Sequence, residues 1–169
     1  MLSRCCTAPS DGCLCSFLAE VTRWNMATLF EQVGGMKALQ TVHKIFYDKV
    51  YAHAWLGQFF AGHSQEAIEN RQTSFMADKM GSKQRYLGKP IVQVHENMYI
   101  TPKLVEVRHQ LLTESLREAG VYDALAIRWL RIDQAFMRQV TKPSVLVFYR
   151  DYHFPYKCRL IIPEPTCSD

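Results

Sequence analysis

The chain has 169 residues, of which 48% are apolar and 21% are charged, a composition typical of one globular domain with a sizeable core and not of a disordered chain. The net charge of +4 comes from Lys and Arg residues scattered along the sequence, whereas a nucleic-acid-binding protein usually concentrates them in runs or in one stripe. No apolar stretch approaches the roughly 18 residues of a membrane span, and the N-terminus lacks the basic start and unbroken apolar run of a secretory signal, so we expect a cytoplasmic protein.

The N-terminal segment carries four of the six cysteines, while Cys158 and Cys167 lie near the other end. The spacings of the first four do not match the two-residue gaps of zinc knuckles, which makes a metal cluster a poor interpretation. The segment also lacks a helical or strand pattern, and Met26 stands directly before the first periodic segment. We therefore expect residues 1–25 to be a disordered extension with reduced thiols.

Glycines punctuate the helical pattern that begins at Met26. A short apolar segment ends at Gly34 and Gly35, as a left-handed helix end requires. Apolar residues then recur every three or four positions from about residue 36 to 53, which predicts a helix with one buried face. Ser64 is a suitable N-cap for the next helix, which Gly81 ends.

The second half of the domain begins with a turn-rich stretch at 82–100, where glycine and proline limit any helix to a turn or two. Thr101 followed by Pro102 predicts a helix start, because Thr caps and Pro presets the first helical dihedral angle. Gly120 ends this helix, and the apolar spacing predicts a last long helix from about 122 to 140.

The C-terminal tail changes in character after residue 141. Its segments SVLVFY and KCRLIIP are β-branched, aromatic and bounded by proline, a composition that favours extended segments or a tail draped over the domain. The sequence thus predicts an all-α domain at 26–141 and a separate tail at 142–169.

Three polar side chains do not fit a simple helical core. Tyr47 and Gln72 fall among the apolar positions of their helices, and burying either without a hydrogen-bond partner costs roughly 1–3 kcal/mol. His95 lies on a segment too short to be stable alone. One ligand would account for all three: a large, flat, apolar cofactor with a central metal held by His95, while Tyr47 and Gln72 donate to whatever binds opposite.

These side chains stand in register with a known family. From Gly34 to about Val140 the sequence resembles a truncated haemoglobin, the two-over-two globin, and most closely its first group. The matching elements are the Gly34–Gly35 pair, Phe46–Tyr47, the Phe59–Gly62 stretch, RQTSF with Gln72, Gly81, and YLGKPIVQVHENMYIT with His95.

The resemblance implies an all-α, two-over-two helical sandwich around haem b, with His95 as the proximal iron ligand. A neutral imidazole would give one ring nitrogen to iron while the other donates to a carbonyl or water, which fixes the ring orientation. The remaining histidines match no ligand position of the family and keep a structural or surface interpretation: His43, His53, His63, His109 and His153.

On the distal side, the resemblance implies that Tyr47 is the main hydrogen-bond donor to bound dioxygen, with Gln72 in support. Bound dioxygen has partial superoxide character, so donors in a dry pocket stabilise it far more than carbon monoxide. Ile68 occupies a position where many globins have a histidine or glutamine, and it cannot donate.

Further residues follow from the same register. The implied haem contacts are Phe60, Ile68, Met76, Val94, Ile100 and Val105, although any core would contain such apolar residues. The candidates for binding the haem propionates are Arg71, Lys83, Arg85 and Tyr86, any of which is equally an ordinary surface residue.

One position departs from the other groups of the family. The second and third groups have a tryptophan where this chain has Val107 and Arg108, which supports assignment to the first group. An arginine in a pocket-facing phase is unusual, and we expect Arg108 to turn outward or to pair with a carboxylate.

The sequence is compatible with three functions. The leading hypothesis is a haem protein that reversibly binds dioxygen, nitric oxide or carbon monoxide for oxygen storage, transport or sensing. The second is an enzyme at the same site, a nitric oxide dioxygenase supplied by a reductase or a peroxidase-like variant. The third is a haem-free helical interaction module that has kept the fold.

Overall fold

The computed structural model describes residues 27–151 and 158–165. Within these ranges the chain forms seven α-helices, one 3₁₀ helix and no β-strand, so the all-α prediction is confirmed. The elements are α1 (Leu29–Gln32), α2 (Gly35–Ala52), the 3₁₀ helix (Leu56–Phe60), α3 (Gln65–Lys79), α4 (Ile91–His95), α5 (Pro102–Glu118), α6 (Asp123–Val140) and α7 (Val145–Asp151). The predicted extension at 1–25, together with His153 and Cys167, lies outside the described residues.

Local capping signals set the helix boundaries that the sequence predicts. The side-chain oxygens of Ser64 and Thr101 each accept a hydrogen bond from the backbone N–H three residues further on, which caps α3 and α5. Pro102 occupies the first turn of α5. Gly34 and Gly81 have φ angles of 102° and 93°, a left-handed conformation that glycine adopts at little cost.

The long helices form two pairs. Helix α2 packs against α3, α5 packs against α6, and α2 also contacts α5, which joins the pairs into the two-over-two arrangement. The largest side chains that are fully buried at these contacts include Phe46, Leu39, Leu112 and Trp129. Each such side chain contributes roughly 1.5–3 kcal/mol of burial free energy. None of the helices in the described ranges combines the length and hydropathy of a membrane span.

The C-terminal segment holds the backbone just after α4. The N–H of Leu160 donates to the carbonyl of Asn97 at 2.8 Å, and the N–H of Tyr99 donates back to the carbonyl of Leu160 at 2.9 Å. The indole N–H of Trp55 donates to the carbonyl of Ile162 at 3.0 Å. Residues 158–165 form no helix, and Leu160 makes an isolated parallel bridge with Met98. The segment therefore ties the backbone after α4 to the start of the 3₁₀ helix.

Residues 145–151 are helical, although their composition favours extended structure. Ser144 caps this helix, because its hydroxyl accepts from the N–H of Val147 at 3.2 Å. Phe148 is fully buried, and its ring centroid lies 5.6 Å from that of Tyr99. The cap and the burial of one aromatic side chain outweigh β-propensity, which is a weak and context-dependent preference.

Candidate functional site

A cavity of about 290 Å³ lies between the two helix pairs. Its lining is mostly apolar and comes from α2, the 3₁₀ helix, α3, α4, α5 and α6. A larger surface groove of about 780 Å³ opens near the α5–α6 turn, but no His, Cys, Asp or Glu lines it. The smaller cavity is the candidate site, because it combines apolar walls with a few convergent polar groups.

Most of the residues nominated from the sequence line this one cavity. They are Tyr47, Phe60, Ile68, Arg71, Gln72, Tyr86, Val94, His95, Ile100 and Val105. Met76 does not line it and is buried in the core, with 1% of its surface exposed. Lys83 and Arg85 are exposed and also lie outside the lining.

His95 is the last residue of α4, and its ring orientation is set by a backbone contact. Its Nδ1 lies 2.8 Å from the carbonyl oxygen of Ile91. A carbonyl only accepts, so Nδ1 carries the hydrogen and Nε2 keeps its lone pair. Burial lowers the pKa of His95, the hydrogen bond to Ile91 acts in the opposite direction, and the charges of Arg108 and Lys142 lower it further. The result is a neutral imidazole suited to binding a metal.

Tyr47 and Gln72 reach the cavity from α2 and α3. Within the described part of the chain neither the Tyr47 hydroxyl nor the Gln72 amide has a hydrogen-bond partner. The Tyr47 ring is held edge-on against Phe46 and Phe60, with centroids 4.9 and 5.8 Å away. Burial raises the pKa of Tyr47, so its hydroxyl stays protonated and remains a donor.

Arg108 is a cavity residue that the sequence did not nominate as a site residue. Its Nη1 donates to Oδ2 of Asp133 at 2.6 Å, and the side chains of Arg108 and Asp133 are only 16% and 3% exposed. Burial acts to lower the pKa of Arg108, but the carboxylate of Asp133 outweighs it and raises the pKa. The expected pairing with a carboxylate is confirmed. The signal was available in sequence, because both residues occupy apolar phases of amphipathic helices.

A second buried polar pair, His43 and Thr73, lies outside the cavity lining. Nδ1 of His43 is 2.8 Å from the hydroxyl of Thr73, and the His43 ring meets Trp129 edge-on at 5.5 Å. Burial lowers the pKa of His43 to about 3, and the charge of Arg108 adds to the effect. His43 is therefore neutral and structural, in line with its interpretation from the sequence.

Other lining residues were not nominated as site residues from the sequence: Leu56, Phe59, His63, Phe75, Lys89, Ile91, Met98, Leu104 and Met137. Phe59 belongs to the Phe59–Gly62 stretch already noted, and Leu104 is buried in the first turn of α5. Lys89 shares a connecting loop with the nominated Lys83 and Arg85. Periodicity says nothing about which loop side chain turns inward, so no local signal distinguishes these three.

The donor set fits a haem and does not fit a bare metal ion. In the described ranges there is no cluster of three or more His, Cys, Asp or Glu residues that could hold a metal by itself. A metal bound by His95 alone would need a cofactor that supplies the other ligands. The apolar walls suit the faces of a porphyrin, and Arg71 and Lys89 supply cations that suit its carboxylates.

Comparison with known proteins gives one consistent result. The family described as Bacterial-like globin matches residues 28–141. A Group 1 truncated hemoglobin, GlbN, from Mycolicibacterium paratuberculosis is 32% identical over 62% of this chain and 76% of its own length. A Group 1 truncated hemoglobin from Tetrahymena pyriformis is 29% identical over 58% of this chain and 81% of its own length.

Solved structures show the same fold. The Fe(III) form of truncated hemoglobin from Tetrahymena pyriformis has a TM-score of 0.64 at 24% identity, covering 68% of this chain and 98% of that one. The 2/2 hemoglobin from Synechococcus sp. PCC 7002, solved in the cyanomet state with covalently attached heme, has a TM-score of 0.64 at 23% identity over the same shares.

Proposed function

Because this chain belongs to the Bacterial-like globin family, as a truncated haemoglobin similar to those of group 1, we propose that its cavity holds one haem b and reversibly binds dioxygen for storage, transport or sensing. Family membership by itself implies haem and the binding of diatomic gases. The observation that carries the finer proposal is the convergence of three side chains on one cavity: His95, Tyr47 and Gln72. Among the residues that the structure describes, Nε2 of His95, the Tyr47 hydroxyl and the Gln72 amide have no hydrogen-bond partner.

His95 would hold the iron through Nε2. The hydrogen bond from its Nδ1 to Ile91 keeps the ring in one tautomer and one orientation, and makes the imidazole a better donor to the metal. The bound haem would supply an iron with one open coordination position for a gas.

Tyr47 would supply a hydrogen-bond donor to the gas. Its hydroxyl is a protonated donor on a buried side chain in a mostly apolar cavity, where a hydrogen bond to a partly charged ligand is strong. The aromatic contacts with Phe46 and Phe60 restrict the ring, so the Tyr47 side chain loses little conformational entropy when it binds a ligand. Gln72 offers a second donor, and Ile68 offers none.

The rim would hold the haem carboxylates. Arg71 and Lys89 line the cavity, and Tyr86 adds a hydroxyl. Arg71 is suited to bind a carboxylate through two hydrogen bonds at once, whereas Lys89 acts as a point charge. Lys83 and Arg85 remain candidates only if their loop turns toward the rim when haem binds.

The test is an absorption spectrum of the reduced protein with and without carbon monoxide, together with rates of dioxygen dissociation. His95→Ala should lose most of the Soret absorbance at equal haem concentration. Tyr47→Phe should keep it but release dioxygen about tenfold faster, since one strong hydrogen bond is lost, while carbon monoxide release changes far less. Tyr51→Phe is the matched control, because Tyr51 bonds the carbonyl of His63 and does not line the cavity.

Two outcomes would replace the proposal. A wild-type protein without a Soret band after haem addition would favour the haem-free interaction module. Catalytic consumption of nitric oxide when a reductase system is supplied would instead make the protein a nitric oxide dioxygenase that uses the same cavity. Stoichiometric reaction without turnover would leave reversible binding as its function.

A further inference from the structure

Arg108 gives the cavity a positive charge that reversible binding of a neutral gas does not require. We propose that Arg108 makes this site selective for small monovalent anions, such as azide or nitrite, by donating hydrogen bonds to them inside the cavity. This inference rests on the proposed haem site and concerns which ligands that site prefers.

The charged side chains that line the cavity are all cationic among the residues that the structure describes. Three cationic side chains line the cavity, Arg71, Lys89 and Arg108, and no Asp or Glu is among the lining residues that the structure describes. Arg71 and Lys89 are exposed at the rim, where solvent screens them. Arg108 is nearly buried, so its charge is screened far less.

The guanidinium of Arg108 has unused donors. It carries five N–H groups, and its single hydrogen bond to the described residues runs from Nη1 to Asp133. Asp133 approaches from α6 and is not part of the cavity lining. The carboxylate of Asp133 therefore binds the guanidinium from outside the cavity lining and leaves its other N–H groups for a ligand.

Arg108 is also fixed in position. Its guanidinium lies over the Phe46 ring at 5.1 Å, and the short contact with Asp133 restrains its other side. A donor that is already ordered loses little entropy when it binds a ligand. Tyr47 and Gln72 line the same cavity and would add two neutral donors to the same anion.

The experiment measures azide affinity of the ferric protein at pH 7 and constant ionic strength, with carbon monoxide affinity of the ferrous protein as the neutral comparison. Replacing the pair by Arg108→Met/Asp133→Leu removes both charges together, a change that buried ion pairs often tolerate. We expect azide to bind at least about tenfold more weakly, as for loss of a charged hydrogen bond, with carbon monoxide within about twofold.

A second variant should change the azide affinity in the opposite direction. Asp133→Asn keeps a hydrogen-bond acceptor for Arg108 but removes the opposing charge, so azide should bind several-fold more tightly than in the wild type. A purely structural role for the pair would not predict tighter binding. Asp123→Asn is the control for overall charge, because it changes the net charge by the same amount as Asp133→Asn. Asp123 is exposed on the same helix, α6, and does not line the cavity, so this variant should bind azide like the wild type.

Azide affinity equal to wild type in the double variant would overturn the inference, as would equal losses for azide and carbon monoxide. Unchanged or weaker azide binding in Asp133→Asn would also overturn it. These results differ from failure of the haem proposal, in which the wild-type protein itself would show no Soret band and no spectral response to either ligand.

Discussion

Acidification should destabilise this protein through His43, which is neutral when folded. Burial lowers the pKa of His43 to about 3, while in the unfolded chain the pKa is close to the ordinary value near 6.5. The folded pKa is the lower one, so the unfolded chain binds the proton first as the pH falls. The contribution of neutral His43 to the free energy of unfolding is therefore fully present above about pH 6.5, and it is lost progressively as the pH falls toward the folded pKa.

The magnitude follows from the two pKa values. The loss approaches about 1.4 kcal/mol per pH unit below pH 6.5, so His43 alone should lower the free energy of unfolding by about 2 kcal/mol between about pH 7.5 and 5.0. A folded pKa one unit higher would give the same result, because pH 5.0 would still lie above it. His43→Gln has no titrating group and should lack this contribution.

The assay is urea unfolding of the haem-loaded protein at both pH values, followed by circular dichroism. The quantity compared is the change in unfolding free energy between the two pH values, so any constant cost of His43→Gln cancels. His63→Gln is the matched control, because His63 is exposed, and it should behave like the wild type. If His43→Gln loses as much stability on acidification as the wild type does, His43 is not the group responsible and the reasoning fails.

Two further predictions concern the segment around His95. Trp55→Phe removes the hydrogen bond to the carbonyl of Ile162 and should lower the free energy of unfolding, measured by urea denaturation, by about 1 kcal/mol. The same substitution in a chain truncated before residue 158 should cost less. Equal costs in the two chains would mean that the bond contributes nothing to stability. Hydrogen exchange at residues 94–97 should slow when haem binds, because α4 is one short turn that metal binding to His95 would hold in place. Identical protection with and without haem would contradict the second prediction.

The sequence by itself determined the four long helices, and it nominated the central residues of the candidate site. A cap acts over three residues and a glycine acts through its own φ, so Ser64, Thr101 and Gly81 mark helix ends whatever packs around them. Tyr47 and Gln72 could be nominated because a polar group in an apolar phase needs a partner.

Only the tertiary structure decided how distant side chains combine. Arg108 and Asp133 lie 25 positions apart on different helices, and periodicity reports which face each occupies but not which residue it meets. For the same reason, periodicity could not predict that Lys89 lines the cavity while Lys83 does not. It also could not predict that residues 145–151 form a helix, which the burial of Phe148 in the core stabilises. Capping and backbone preferences act within about one turn of the chain, whereas the cavity is formed by six elements whose relative positions are set by packing of the whole core.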